Sequence, residues 1–279
     1  MLKKIYLIFY LFLLLGLTME GGTINSSLYL NKGTFVTVNT TSFPYVSFNH
    51  DRTFNAMNAV INITTQDELI LKVVNTDSVI HGFDISGYGK TPHVIAPGDS
   101  ITDTLQFTTQ GVFIYYDSYE NPKFRYMGGA GMICVNNSVT DKKFYWNLKE
   151  HQSSYNELLD QNKPVNWSEY APDYFTINSF SFPLTLDDPT SIVSAKIGDT
   201  VHIFIANTGQ SAHAIHFHGF HCKIIFSSNS SQIGWVKDTF PLKSMQTMVL
   251  ELIPDKLGRY SVHDHNLIAV TGGGQHPKG

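Results

Sequence analysis

One pattern in this chain occurs twice. Val73-Val74-Asn75-Thr76-Asp77, followed by His81-Gly82-Phe83, is matched by Phe204-Ile205-Ala206-Asn207-Thr208-Gly209, followed by His213. Gln110-Gly111-Val112-Phe113-Ile114-Tyr115-Tyr116-Asp117 is matched by Leu257-Gly258-Arg259-Tyr260-Ser261-Val262-His263-Asp264, which sets Asp117 against Asp264. A repeat with a period of roughly 140 residues implies two copies of one folding unit. Each copy is built from short apolar and aromatic runs. Val60–Ile63, Leu69–Val74, Val112–Tyr116 and Gly131–Val135 lie in the first, and Val201–Ala206 and Val249–Leu252 in the second. Turn clusters such as Asn75-Thr76-Asp77-Ser78 and Ala96-Pro97-Gly98-Asp99 separate them. Short strands between regular turn signals predict an all-β protein of sandwich or barrel units. Nineteen Phe and 14 Tyr fit that class, because aromatic side chains pack well on a pleated surface.

The expected division is 1–22 as a leader, 23–140 as the first domain, 141–172 as the connection and 173–279 as the second domain. The connection holds a short helical stretch, Tyr155-Asn156-Glu157-Leu158-Leu159, and the polar run 161–166. In the leader, Lys3 and Lys4 precede a continuous apolar run from Ile5 to Leu17. That run is shorter than the about 20 residues a bilayer span needs, and it reads as a secretory signal. No small-x-small cleavage site follows, so an uncleaved membrane anchor is the alternative. Asn-x-Ser/Thr sequons at Asn25, Asn39, Asn62, Asn136, Asn166 and Asn229 agree with export. The expected location is secreted, periplasmic or cell-surface. Two cysteines, Cys134 and Cys222, do not make a disulfide scaffold and are expected to be free and buried. A net charge of −4 and the lack of a basic patch, a phosphate-cradling glycine loop or a nucleophile elbow exclude nucleic-acid binding and those two enzyme classes.

Chemistry concentrates in His213-Ala214-Ile215-His216-Phe217-His218-Gly219-Phe220-His221 and in His263-Asp264-His265. With 12 histidines in 279 residues, a nine-residue window should hold roughly 0.4 by chance; the first stretch holds four. Side chains alternate faces along a strand, so His216 and His218 share a face, as do His263 and His265. Asp264 and His213 then point the other way. If the two strands are neighbours, four imidazoles meet on one face. Imidazole suits copper, zinc, iron and nickel. The alternative is a half-exposed strand with solvated histidines, which two such pairs make less economical than one. By strand parity Cys222 could approach the cluster or pack as a core thiol. His202 fits a structural role, and His276 a solvated tail.

These residues resemble a known family. His213-Ala214-Ile215-His216-Phe217-His218-Gly219 is similar to the His-x-x-His-x-His-Gly motif of multicopper oxidases. Phe175–Pro183 resembles the start of one of their domains, and Lys237-Asp238-Thr239 a later element. Tyr260–Ile268 resembles both their His-Cys-His motif and the copper-ligand strand of copper nitrite reductases. The resemblance covers nearly everything after the leader. It implies two tandem cupredoxin-like Greek-key β-sandwich domains. It also implies His216, His218, His263 and His265 as ligands of a type 2/type 3-like copper site, and a homotrimer in which a neighbour's first domain completes that site.

The chain departs from the family at the blue-copper positions. The type 1 cysteine falls at Asp264 in the second domain and at Asp117 in the first, and a further type 1 histidine falls at Ala269. Without a thiolate, a blue-copper site cannot form. In the first domain His81 matches a type 1 histidine, Met132 could match the axial ligand, and the next ligand position lies near Met127. Whether His81, His93 or His213 binds metal stays open. The first-domain ligands of the shared site fall near Asp84, Ser86, Tyr116 and Ser118, none of them histidine.

Three readings follow. The first is a copper oxidoreductase acting on a small molecule such as O₂, nitrite, nitric oxide or hydroxylamine. Asp84 would be its general acid, by analogy with the proton-delivering aspartate of nitrite reductases, and electrons would come from substrate or from an external donor. The second is a non-catalytic copper or zinc binding or storage protein. The third is a cupredoxin scaffold used for protein contacts.

Overall fold

A computed structural model describes residues 21–140, 142–272 and 274. Residues 1–20 of the expected leader (1–22) and His276 lie outside the described residues. The first half contains β1 (Thr23–Val36), β2 (Ser42–Asn49), β3 (Val60–Ile63), β4 (Glu68–Asn75) and β5 (His81–Ile85). β6 (His93–Ile95), β7 (Ser100–Gln106), β8 (Gly111–Tyr116), the one-turn α1 (Lys123–Tyr126) and β9 (Ala130–Val135) complete it. The second half begins with β10 (Lys142–His151), α2 (Ser153–Asp160), β11 (Tyr174–Ile177), β12 (Val201–Asn207) and β13 (His213–Phe217). β14 (Cys222–Ser227), β15 (Val236–Lys237), β16 (Thr239–Leu242), β17 (Thr247–Leu252), β18 (Val262–Asp264) and α3 (Leu267–Thr271) follow.

Each half is a two-sheet sandwich. In the first, a four-stranded sheet (β2-β1-β4-β7) faces a five-stranded one (β3-β9-β8-β5-β6). In the second, a six-stranded sheet (β11-β10-β12-β17-β14-β15) faces a three-stranded one (β16-β13-β18). The expected all-β tandem fold is what the chain adopts. The repeat extends to strand pairing: β1 runs parallel to β4 with Leu30 against Asn75, and β10 runs parallel to β12 with Leu148 against Asn207. Asn75 donates from Nδ2 to the carbonyls of Val79 and Ile95 and accepts from Asp77 N–H. Asn207 donates to Ser211 and Leu242 and accepts from Gly209 N–H.

The segment expected to join the domains does more than connect. Lys142–His151 is a ten-residue strand of the second sandwich, so that sheet starts some 30 residues before the expected boundary. Scattered polar residues (Lys142, Lys143, Asn147, Lys149, Glu150) masked the strand, and four of its last five residues are buried. The helix expected at 155–159 is α2, which packs Tyr155 and Leu159 into the first domain's core. The last strand, β18, starts only at Val262.

A third apolar layer joins the sandwiches. Val112, Ile114, Ala130, Met132 and Cys134 of β8 and β9 meet Phe204, Ala206 and Val249 of β12 and β17. All seven residues of β12 and all six of β9 are consequently buried, which explains why their apolar residues do not alternate with exposed polar ones, as strands covered on both faces show no alternation. Polar bonds cross the same boundary: Asn147 Nδ2 to Ala130 O at 2.9 Å, Thr247 Oγ1 to Val112 O at 2.9 Å, and the Arg125 guanidinium to the carbonyls of Thr208 and Gly209 at 2.9 and 3.1 Å. Among the described residues, no helix is long and apolar enough to cross a membrane.

Candidate metal centre

β13 and β18 are antiparallel neighbours, with His216 directly opposite His263. This is the adjacency the sequence left conditional. Rings of His216, His218 and His263 lie 4.9–5.4 Å apart between centroids, and one ligand nitrogen from each falls within 4.8 Å of the others. His265 flanks the trio, its ring 5.4 Å from His216 and 6.1 Å from His263. His216 and His263 are half-buried, while His218 and His265 are exposed.

Outer partners fix which nitrogens face inward. Thr239 Oγ1 donates to Asp238 and accepts from His216 Nδ1 at 2.9 Å. His263 Nδ1 donates to the Asp264 carbonyl at 2.9 Å. Both rings thus carry their proton on Nδ1 and present Nε2 as a lone pair, the orienting arrangement metal-bound histidines use. His263 Nε2 lies 2.9 Å from His218 Nε2. Either a proton on His218 Nε2, donated to the His263 lone pair, or a cation between the two nitrogens accounts for that approach. A metal with bonds of about 2.0–2.1 Å to nitrogen holds adjacent ligand atoms about 2.8–3.4 Å apart, so the observed spacing suits one. The donor set is all imidazole, which fits copper or zinc.

Asp264, between His263 and His265, faces the other way as alternation requires. Its Oδ2 accepts from His213 Nδ1 at 2.5 Å, and its Oδ1 accepts from the N–H groups of Ala214 and Asn266, each at 2.9 Å. The opposite ring nitrogen, His213 Nε2, donates to Glu150 Oε2 at 3.0 Å. Ionised carboxylates only accept, so a ring held at both nitrogens carries both protons and a positive charge. Burial alone would lower the His213 pKa, but Asp264 and Glu150 outweigh it and lift it to about 9. Burial likewise opposes ionisation of Glu150, yet His213 and the N–H groups of Ser211 and Gln210 hold it below the usual carboxylate range. His213 has no free nitrogen for a metal.

The first domain repeats this at the matching positions. His81 Nδ1 donates to Asp117 Oδ2 at 2.5 Å, His81 Nε2 to Asp77 Oδ2 at 3.1 Å, and Asp117 Oδ1 accepts from Gly82 N–H and Tyr119 N–H at 2.7 and 3.0 Å. Burial lowers the His81 pKa, but the two carboxylates raise it further. Asp84 pairs with Tyr116 across β5 and β8 as His216 pairs with His263. The Tyr116 hydroxyl donates to Asp84 Oδ2 at 2.8 Å, and burial with that bond pushes the phenol up to about 12. No bond, ion pair or ring contact among the described residues joins Asp84 to the four histidines of the same chain.

His93 is bound to Asp103 at 2.9 Å, away from the cluster. His202 leans on Glu251 at 3.4 Å. Cys222 packs in the second core and Cys134 in the interdomain layer, both free, and burial raises both thiol pKa values. Sequence reasoning missed Glu150 and Asp77. Neither carried a sequence signal: Glu150 lies in the charged run Lys149-Glu150-His151 and Asp77 in a turn.

Fold and centre together define a class: two tandem cupredoxin-like sandwiches with a histidine cluster on the second. Within that class the chain resembles multicopper oxidases and copper nitrite reductases. A sequence model described as "Multicopper oxidase" matches residues 160–274. The structure superposes on the multicopper oxidase mgLAC with a TM-score of 0.76 at 22% identity, over 91% of this chain and 83% of that one. For the blue copper oxidase of Nitrosomonas europaea the TM-score is 0.71 at 23% identity, covering 88% and 80%. For the copper nitrite reductase of Nitrosomonas europaea it is 0.73 at 17%, covering 90% and 91%. A comparison with curated protein sequences found no match.

Proposed function

We propose that the chain is an exported copper oxidoreductase that acts on a small molecule at the face of β13 and β18. The observation that carries this reading is the convergence of His216, His218 and His263, whose ring nitrogens fall within 4.8 Å of one another, with the rings of His216 and His263 oriented by Thr239 and the Asp264 carbonyl. His216, His218 and His263 would hold copper, and His265 would hold a second ion or a ligand on the first. Bound copper supplies one-electron redox chemistry and Lewis acidity toward O₂ or a nitrogen oxide. The chain's own residues do the rest. Thr239 and the Asp264 carbonyl fix the ligand rings. The exposed side of His218 and His265 leaves an approach for substrate, where a structural site would be closed.

Asp117 and Asp264 stand where a blue-copper thiolate would be needed, so electrons come from substrate or from a docked donor. In a homotrimer, a neighbour's first domain would close the centre with its Asp84–Tyr116 pair, placing a carboxylate for proton transfer opposite the histidines. Asp84 as general acid rests on that assembly.

Elemental analysis of desalted, copper-treated chain lacking its leader tests the reading, beside a His216→Ala/His265→Ala variant. At least one copper per chain in the wild type and its loss in the variant is the expected result. Zinc alone, or metal retained by the variant, would overturn it. Perturbation of the bound Cu(II) spectrum by azide or nitrite then separates an open centre from a storage site.

A further inference from the structure

The two buried imidazoles share one geometry but take their second carboxylate from different places. Registers equate Asn75 with Asn207 and Leu30 with Leu148. Glu150 therefore corresponds to Lys32, and Asp77 to Gly209. In the second domain the acid comes from strand β10. In the first, the β10 counterpart is Lys32, turned outward to Asp160, and the acid comes from the turn after β4. The exchange is reciprocal, since a Cβ on Gly209 would come 1.9 Å from Glu150 Oε2. Only one of the two positions can carry the acid. Each half has thus reached the same ring, held by acids at both nitrogens, by a separate route, which points to a demand of the site rather than inheritance of one side chain.

In the second domain the clamp acts on the metal centre. Asp264 is flanked by His263 and His265 and grips β13 through Ala214 N–H and His213, while Glu150 ties the same ring to β10 and, through Gln210 and Ser211 N–H, to the turn that launches β13. β18 has only three residues and pairs with β13 alone, so this anchorage sets where its two histidines stand.

We infer that Glu150, His213 and Asp264 are positioning residues of the histidine cluster: a doubly clamped imidazolium takes the place of a mononuclear metal ion in fixing β18 against β13, and the Asp77–His81–Asp117 set does the same for β8 against β5. The metal assignment itself rests on the proposed function; the positioning does not.

The test uses the chain without its leader and four variants: Asp264→Asn, its first-domain counterpart Asp117→Asn, Glu150→Ala, and Glu150→Ala/Gly209→Asp. Ring ¹H–¹⁵N spectra are recorded metal-free, and Cu(II) electron paramagnetic resonance after loading. Asp264→Asn and Asp117→Asn are expected to lower the melting temperature alike. Only Asp264→Asn should shift the His263 and His265 ring resonances and alter the copper hyperfine pattern. Glu150→Ala should show a milder form of the same shifts, readable even if Asp264→Asn fails to fold. The double variant, which moves the acid to the turn as in the first domain, should restore the wild-type ring spectrum. Unchanged ring resonances in Asp264→Asn or Glu150→Ala would overturn the inference. So would equal shifts from Asp117→Asn, or a double variant no closer to wild type than Glu150→Ala. If the wild type takes up no copper, the proposed function fails while the metal-free spectra still decide the positioning role.

Discussion

His151 is fully buried, and its ring lies 5.3–6.0 Å from those of Phe35, Phe43, Tyr45 and Tyr126. Its Nε2 has no hydrogen-bond partner among the described residues. Burial, reinforced by the charge of Lys149, holds its pKa down to about 3. Below pH 6.5 the unfolded chain therefore takes a proton that the folded chain refuses. The neutral ring's contribution is complete above pH 6.5 and is lost toward pH 3, at about 1.4 kcal/mol per pH unit. His151→Phe, which suits an aromatic surrounding, is expected to shrink the stability difference between pH 7 and pH 5 measured by urea unfolding. An unchanged difference would show that the ring protonates freely. The contrast with His213, about 60 residues on, shows what sequence could and could not tell. Alternation put His216 with His218, His263 with His265, and Asp264 behind them, because that rule needs only neighbours in the chain. The charge on His213 depends on Glu150, 63 residues away across a sheet, and no local rule reaches that far.

Among the elements, β12 was legible and β10 was not. Val201–Ala206 is apolar but for His202, whereas Lys142–His151 mixes charge into a strand whose partners bury Lys149 and Glu150. The interdomain layer covers the second face of β12. Ile114 belongs to that layer, 1% exposed on β8. Ile114→Ala removes apolar contacts shared by both sandwiches and is expected to cost about 2–5 kcal/mol. In differential scanning calorimetry the wild type should melt in one transition, and the variant in one transition at lower temperature. Two transitions, of which the substitution moves only the first domain's, would mean the layer does not couple the halves.

At the scale of the whole molecule, the second domain looks half of something larger. β18 is an edge strand, and an unpaired edge is usually short, covered or charged. Beyond it α3 presents Leu267 at 74% and Ile268 at 57% exposure, close in sequence to His263 and His265. Apolar side chains beside an incomplete polar centre suit a surface that another subunit covers. Asp84, Tyr116, Ser86 and Ser118 hold the equivalent positions on the first domain, and in a closed ring each such face could meet a neighbour's histidines. The trimer is an expectation from resemblance; the edge and the apolar helix are reasons for a covering partner and do not set the number of subunits. Light scattering of the leaderless chain at micromolar concentration is expected to give three times the monomer mass. Leu267→Asp/Ile268→Asp should reduce that to one while leaving far-ultraviolet circular dichroism unchanged, since both side chains point into solvent within one chain. Asp84→Ala should leave the mass unchanged and weaken azide binding by the copper-loaded form. A wild type that scatters as a monomer would remove the shared centre and, with it, any role for Asp84 at the copper; a trimer in which Asp84→Ala binds azide as the wild type does would keep the assembly and discard only the acid.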